Sequence, residues 1–167
     1  MPQTLAPACW RLFVAVLVPP EVRTEIERAQ AELRRVLPRS RVAWTRREQL
    51  HLTLKFLGDV EASRAGAVAE ALRRVAAGFA PLRLRAAGLG FFPDPRRPRV
   101  GWIGVWDEAE QLPRLAEAVT AAVAEFASEA REERFAGHVT LARIKELFRS
   151  EAGPLAQVAR ARAGQVC

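Results

Sequence analysis

The 167-residue sequence predicts an α+β fold with a mixed or antiparallel sheet, built as two related halves. Apolar runs with the period of β-strands alternate along the chain with stripes that have the period of helices. Two of the strand-like runs follow each other directly across a proline-rich loop, PDPRRP, which suits a hairpin-like reversal. A His-x-Thr-Leu tetrad also occurs twice, each time after comparable strand and helix segments, which indicates duplicated halves.

Five runs bounded by Gly or Pro have the alternating or continuous apolar character of strands, at residues 11–18, 50–58, 82–92, 99–106 and 138–144. The segment PEVRTEIERAQAELRRVL predicts a helix, with Pro20 in its first turn and Pro38 ending it. Two more helical stripes are formed by Val68, Leu72 and Val75 and by Leu112, Leu115, Val119, Val123 and Phe126. The tail offers a weak amphipathic helix around Leu155 and Val158 and no strand pattern.

The length and the apolar fraction of 50% are sufficient for one domain of two small lobes, which we assign to residues 1–167. The formal net charge is +7, which favours an anionic partner such as nucleic acid or phosphate. The alternative is biased codon usage, because Lys55 and Lys145 are the only lysines and the remaining positive charge is arginine scattered through the helices.

Cys9 and Cys167 lie near opposite ends, which fits neither a disulfide framework nor a Cys-x-x-Cys metal site, so we expect a cytoplasmic protein. The apolar run from Leu12 to Val18 is too short to span a bilayer. It also resembles the core of a signal peptide, but Arg11 is its only basic flank and no cleavage site of small residues follows. We therefore predict a buried strand and no membrane association.

The two tetrads contain the candidate catalytic residues. In a strand, residues i and i+2 share a face, so His51 projects with Thr53, and His138 with Thr140. Two such strands across a cleft would place two imidazoles around one phosphate, one removing a proton from the entering oxygen and the other protonating the leaving oxygen. An unperturbed histidine has a pKa of about 6.5, which suits both roles near neutrality.

Two other interpretations of the histidines stay open at this point. A single histidine flanked by apolar residues is usually a satisfied core residue, but the repetition of the tetrad favours function. A zinc site would be underfilled, because no third ligand stands at a suitable spacing.

With these residues the chain resembles the 2H phosphoesterase superfamily, and within it the RNA 2′,3′-cyclic phosphodiesterases, also called 2′-5′ RNA ligase-like or LigT-like proteins. The resemblance rests on RLFVAVLVPPEVR, WTRREQLHLTLKFLGDV, GFFPDPRRPRVGWIGV and RFAGHVTLARIK, and covers residues 11–145. It implies a bilobal, pseudo-symmetric fold with two antiparallel sheets facing a central cleft and helices outside, acting without metal or other cofactor.

The resemblance also implies an activity and its residues. Members hydrolyse RNA 2′,3′-cyclic phosphates to 2′-phosphates, and some join or cleave 2′-5′ linkages in tRNA halves. Carried onto this chain, His51 is the general acid and His138 the general base, while Thr53 and Thr140 hold the phosphate. The implied partner is RNA or a nucleotide with a 2′,3′-cyclic phosphate, bound by a monomer.

Arg143 matches the arginine usual in the family's second motif and is expected to contact substrate, provided that a bulge turns it toward the face of His138. Phe56 either flanks the nucleobase or, as strict alternation predicts, faces the core. Arg96, Arg97 and Arg99 form either a phosphate-binding rim or a set of solvated loop arginines.

Two features depart from the family pattern. Gly137 stands where the family usually has proline before its second histidine, which predicts a looser approach to His138. Residues 146–167 do not resemble the strands with which the family continues after its second motif.

Three functional hypotheses follow. The first is an RNA 2′,3′-cyclic phosphodiesterase, with 2′-5′ ligation as a further activity. The second is a non-catalytic RNA-binding module or inactive truncated remnant, and the third is a related enzyme acting on a small cyclic nucleotide-sugar phosphate.

Overall fold

The computed structural model describes residues 8–128 and 135–163, so the ends of the expected domain and residues 129–134 lie outside the described residues. Six strands are present: β1 (Cys9–Leu17), β2 (Arg41–Trp44), β3 (His51–Glu61), β4 (Arg85–Phe92), β5 (Val100–Trp106) and β6 (His138–Glu146). Four α-helices accompany them: α1 (Pro20–Val36), α2 (Ala65–Ala77), α3 (Gln111–Ala122) and α4 (Ala152–Ala161).

The strands form an antiparallel sheet in the order β1-β3-β6-β5-β4, with β2 also paired to β6. The predicted α+β fold with antiparallel pairing is confirmed. The two halves of the sheet are β1–β3 and β2–β6–β5–β4, and one residue pair, Leu52 with Val139, joins them edge to edge. The two histidine-bearing strands are therefore direct neighbours at the centre of the molecule.

The helices cross between the halves. Helix α3 follows β5 in the chain but packs on β3 and α2, whereas α1 follows β1 but packs on β6 and α4. In α1, Ile26, Ala29 and Leu33 form the buried face, in line with the predicted stripe. This exchange of helices makes one continuous core beneath both histidine strands.

All five predicted strands and all four predicted helices are present, the weak one around Leu155 and Val158 being α4. Pro20 occupies the first turn of α1 as expected. Strand β2 was missed because its four residues are too few to show a period. The apolar run at residues 12–18 lies mostly in β1, so the predicted strand is present. The prediction that it is buried is wrong, because β1 is an edge strand whose residues are all half-buried or exposed. In the described part of the chain, no helix is long and apolar enough to cross a membrane.

The tail is anchored by two carboxylates. Glu32 of α1 accepts hydrogen bonds from Arg162 at 2.7 and 2.5 Å, and the Arg162 guanidinium lowers the pKa of Glu32. Glu151 is buried and accepts from the backbone N–H groups of Arg39 and Ser40 and from the Ser40 hydroxyl. These contacts and the fully buried Leu155 dock α4 against α1 and β4.

Burial alone raises the pKa of Glu151, but the hydrogen bonds from Ser40 and Arg39 outweigh it, and the pKa lies below the ordinary 4.5. A lowered folded-state pKa gives stability that is complete above 4.5 and is lost as the pH falls below it. The unfolding free energies of wild type and Glu151→Gln should therefore converge as the pH falls from 7 to 3, measured by urea denaturation. The unfolding free energy of Ser40→Ala should converge only partly with that of wild type over the same pH range. A difference between wild type and Glu151→Gln that stays constant with pH would contradict this role.

Candidate active site

Strands β3 and β6 bring the two tetrads together. The central pair is Leu52 with Val139, so antiparallel geometry sets His51 opposite Thr140 and Thr53 opposite His138. Leu52 and Val139 are buried in the core, and the four polar side chains therefore project from the opposite face of the sheet. The two histidines occupy a diagonal of this pairing, on which Cα atoms lie about 7 to 8 Å apart.

Both imidazoles are held by the same contact. Nδ1 of His51 lies 2.6 Å from the carbonyl oxygen of Gln49, and Nδ1 of His138 lies 2.7 Å from that of Ala136. A carbonyl oxygen only accepts, so Nδ1 carries the proton in each ring. Each neutral imidazole consequently has the lone pair of Nε2 available for a ligand.

A β-bulge lies at the leucine that ends each tetrad. Leu54 is skipped in the pairing of β3 with β1, and Leu141 is skipped in the pairing of β6 with β5. A bulge shifts the alternation of side chains by one residue. The residue five positions after each histidine, Phe56 or Arg143, is therefore turned onto the face that carries the histidines.

These bulges determine the orientations of Arg143 and Phe56. The bulge that Arg143 requires is present. Arg143 pairs with Val100 and Thr140 pairs with Trp102, so Arg143 and Thr140 lie on the same face of the sheet. Whether it binds substrate stays a prediction. The expectation that Phe56 faces the core is wrong: it pairs with Phe13 across the strands, and its side chain is 60% exposed.

Gln30 supports the second bulge from below. This buried side chain of α1 donates from Nε2 to the carbonyl oxygens of Leu141 and Thr45, both at 2.8 Å. The backbone N–H of Thr45 also donates to the carbonyl of Leu141, at 2.9 Å. The Leu141 carbonyl, which the bulge displaces from the strand pairing, thus accepts two hydrogen bonds. These hydrogen bonds stabilise the bulge that orients Arg143.

Aromatic rings flank the two histidines. Phe13 lies 4.9 Å from the ring of His51 and 6.0 Å from that of Phe56, measured between centroids. On the other side, the ring of His138 lies 5.2 Å from that of Phe92 and 6.3 Å from that of Trp102. A side chain on Gly90 would collide with the Trp102 indole at 2.2 Å, so this glycine gives the indole room to pack over β4.

Several polar groups of this face have no protein partner. Within residues 8–128 and 135–163, the hydroxyls of Thr53 and Thr140 make no hydrogen bond and Arg143 makes no ion pair. The same part of the chain contains no group of three or more His, Cys, Asp or Glu residues arranged to hold a metal ion. The face offers two imidazoles, two hydroxyls and one guanidinium.

Gly137 corrects the expectation of a looser approach to His138. Its carbonyl accepts from the backbone N–H of Val105 at 2.8 Å, and a Cβ on Gly137 would lie 2.2 Å from the Val105 carbonyl oxygen. The absence of a side chain allows the chain before β6 to close tightly on β5. The residue that precedes His138 is therefore fixed, and the predicted loosening is wrong.

Comparison with known proteins places this arrangement in a family. Residues 16–102 match the model of the LigT like Phosphoesterase family. An RNA 2′,3′-cyclic phosphodiesterase of Archaeoglobus fulgidus is 38% identical over 135 residues, which cover 81% of this chain and 73% of that protein. One from Aquifex aeolicus is also 38% identical, over 64% of this chain and 57% of that protein.

Solved structures agree. TT0787 of Thermus thermophilus superposes with a TM-score of 0.73 at 35% identity, covering 83% of this chain and 76% of that one. Escherichia coli LigT complexed with 3′-AMP superposes with a TM-score of 0.68 at 26% identity, covering 85% and 76%. The chain belongs to the LigT-like phosphoesterases, within the 2H phosphoesterase superfamily.

We expect Gly137→Ala to lower the free energy of unfolding by about 1 to 3 kcal/mol, because the added methyl group must push β5 away. Gly66 of α2 is the control, since a Cβ added there would have nothing within 4 Å and the residue has ordinary backbone angles. Gly66→Ala should raise stability by about 0.4 to 1 kcal/mol. Chemical denaturation measures both, and equal effects at the two glycines would contradict the close approach.

Proposed function

We propose that this protein is a metal-independent RNA 2′,3′-cyclic phosphodiesterase that converts 2′,3′-cyclic phosphate ends to 2′-phosphomonoesters. The pairing of Leu52 with Val139 carries the proposal, because it sets two His-x-Thr tetrads from one chain around a single point. The names of its relatives support the substrate class. A complex of Escherichia coli LigT with 3′-AMP supports nucleotide binding by this fold.

The reaction uses both Nε2 atoms. His138 takes a proton from water through its Nε2 lone pair while the water oxygen attacks phosphorus. The bond from phosphorus to the 3′ oxygen breaks, and protonated His51 delivers its Nε2 proton to that oxygen. The products are a 2′-phosphomonoester and a free 3′-hydroxyl, and the order of the two histidines follows the family resemblance.

The remaining groups bind the substrate. Thr53 and Thr140 stand opposite the histidines and can donate hydrogen bonds to the phosphate oxygens that take no part in bond exchange. Arg143 adds a guanidinium, which suits a phosphate because its N–H groups form paired, charge-assisted hydrogen bonds. On the side of His51, the exposed rings of Phe13 and Phe56 provide a stacking surface for the terminal base.

A 5′-hydroxyl in place of water would give a 2′-5′ linkage by the same proton transfers, so ligation of tRNA halves is a further activity we assign to this site. Both tetrads come from one chain, which supports catalysis by a monomer. The low cysteine count supports a cytoplasmic setting.

Replacement of either histidine tests the proposal. We expect His51→Ala and His138→Ala each to lower kcat by about 10²- to 10⁴-fold on a 2′,3′-cyclic-phosphate oligonucleotide, with the 2′-phosphate identified as product. Wild-type kcat/KM should give a bell-shaped pH profile and be insensitive to chelator. Undiminished turnover by His51→Ala, or RNA binding without turnover by wild type, would contradict the two-histidine mechanism.

Arg143 should act through binding. We expect Arg143→Gln to raise KM for the same substrate by about 10- to 100-fold, because a hydrogen-bonded charged partner of the phosphate is lost. Arg143→Lys should recover part of this loss, since lysine keeps the charge without the planar fork. Arg114→Gln, in the exposed surface of α3, is the control. Identical Michaelis constants for Arg143→Gln and Arg114→Gln would remove Arg143 from the site.

A further inference from the structure

A groove lined by positive charge lies at the far end of β6 from His138. Its volume is about 410 Å³, and its charged lining residues are Arg96, Arg97, Arg99, Lys145, Glu146 and Arg149. Three arginines come from the loop between β4 and β5, Lys145 from β6, and Arg149 from the segment that leads into α4. We refer to this feature as the basic groove.

The cations of the basic groove form no ion pairs with the described part of the protein. Among the described residues, none of Arg96, Arg97, Arg99, Lys145 and Arg149 forms an ion pair, and Glu146 has Arg41 at 3.9 Å. Several arginines elsewhere on the surface form ion pairs, as Arg73 and Arg74 do with Glu70. Five cations and a single carboxylate, Glu146, line this concave surface. The cations repel each other, and an anion lying in the groove relieves that repulsion.

The backbone that carries these side chains is well fixed. The Asp94 carboxylate accepts from the backbone N–H groups of Arg96 at 2.7 Å and Arg97 at 3.2 Å. The carbonyl of Arg99 accepts from Ile144 of β6 at 2.8 Å, which ties the loop to the strand. Arg149 stands two residues before the buried Glu151, whose hydrogen bonds anchor the start of α4.

The basic groove continues the proposed active site. Past the bulge at Leu141, Arg143 lies on the face of His138 and Thr140. Lys145 is exposed two residues further on, at a register shift in the pairing of β6 with β2. The strand rise puts Lys145 about 20 Å from His138, which is too far for the phosphate undergoing reaction. Phosphates further along the same RNA strand would be in reach.

Resting on the proposed function, we propose that the basic groove binds the sugar-phosphate backbone of the RNA strand upstream of its cyclic phosphate end. Such contacts are independent of base sequence and are weakened by salt. The groove would therefore make an oligonucleotide a better substrate than a mononucleotide with the same terminal group. The loop arginines and the atypical tail would then contribute to one binding surface.

The test compares two substrates with the same end, cytidine 2′,3′-cyclic monophosphate and an oligonucleotide ending in that group. The groove variant is Arg96→Gln/Arg97→Gln/Arg149→Gln, whose three positions are all exposed. The control, Arg28→Gln/Arg73→Gln/Arg74→Gln, changes the net charge equally on α1 and α2. We expect the groove variant to lose at least about 10-fold in kcat/KM on the oligonucleotide only, through KM.

Binding measured without turnover separates the groove from the proposed chemistry. By fluorescence anisotropy with a 2′-phosphate oligonucleotide, the groove variant should bind more weakly, and its slope of log affinity against log salt should be smaller by about 2. This result would support the groove even if wild type hydrolysed neither cyclic phosphate. Unchanged RNA affinity, an equal loss in the control variant, or an equal loss of affinity for an acidic peptide would overturn the proposal.

Discussion

The single residue pair between β3 and β6 is the constraint on which the site depends. Leu52 and Val139 are buried beneath the sheet, and Leu141 beyond them is fully buried. A slip of one residue would turn the apolar side chains outward and push the histidines and threonines into the core. Burial of three aliphatic residues thus fixes the register, and the register fixes how four polar groups meet.

The two halves share the same backbone features around the histidines but carry different side chains at equivalent positions. Each histidine donates from Nδ1 to the carbonyl two residues before it, and a bulge lies at the leucine that ends each tetrad. The bulges present different residues at equivalent positions, Phe56 in the first half and Arg143 in the second. At these equivalent positions the two halves therefore present an aromatic ring on one side and a guanidinium on the other.

The sequence was sufficient for the features that repeat with a regular period. It predicted the strands that carry the tetrads, the long helix α1, and the shared face of each histidine and its threonine. It missed the orientation of Phe56, because a bulge breaks the alternation on which that prediction rested. The tight fit of Gly137 was also missed, since it depends on a carbonyl of β5 that is distant in the chain. Contacts between remote backbone segments leave no period in the sequence.

The proposed chemistry requires two imidazoles that share one ligand, and the chain has only two histidines. Nitrogen-15 NMR of histidine-labelled protein therefore reports on the site without interference from other rings. We predict the Nδ1–H tautomer in both neutral rings, and a shift of both Nε2 resonances with one apparent affinity when a nucleoside 2′-phosphate is added. A response from one ring alone, or an Nε2–H tautomer in either ring, would contradict the shared site.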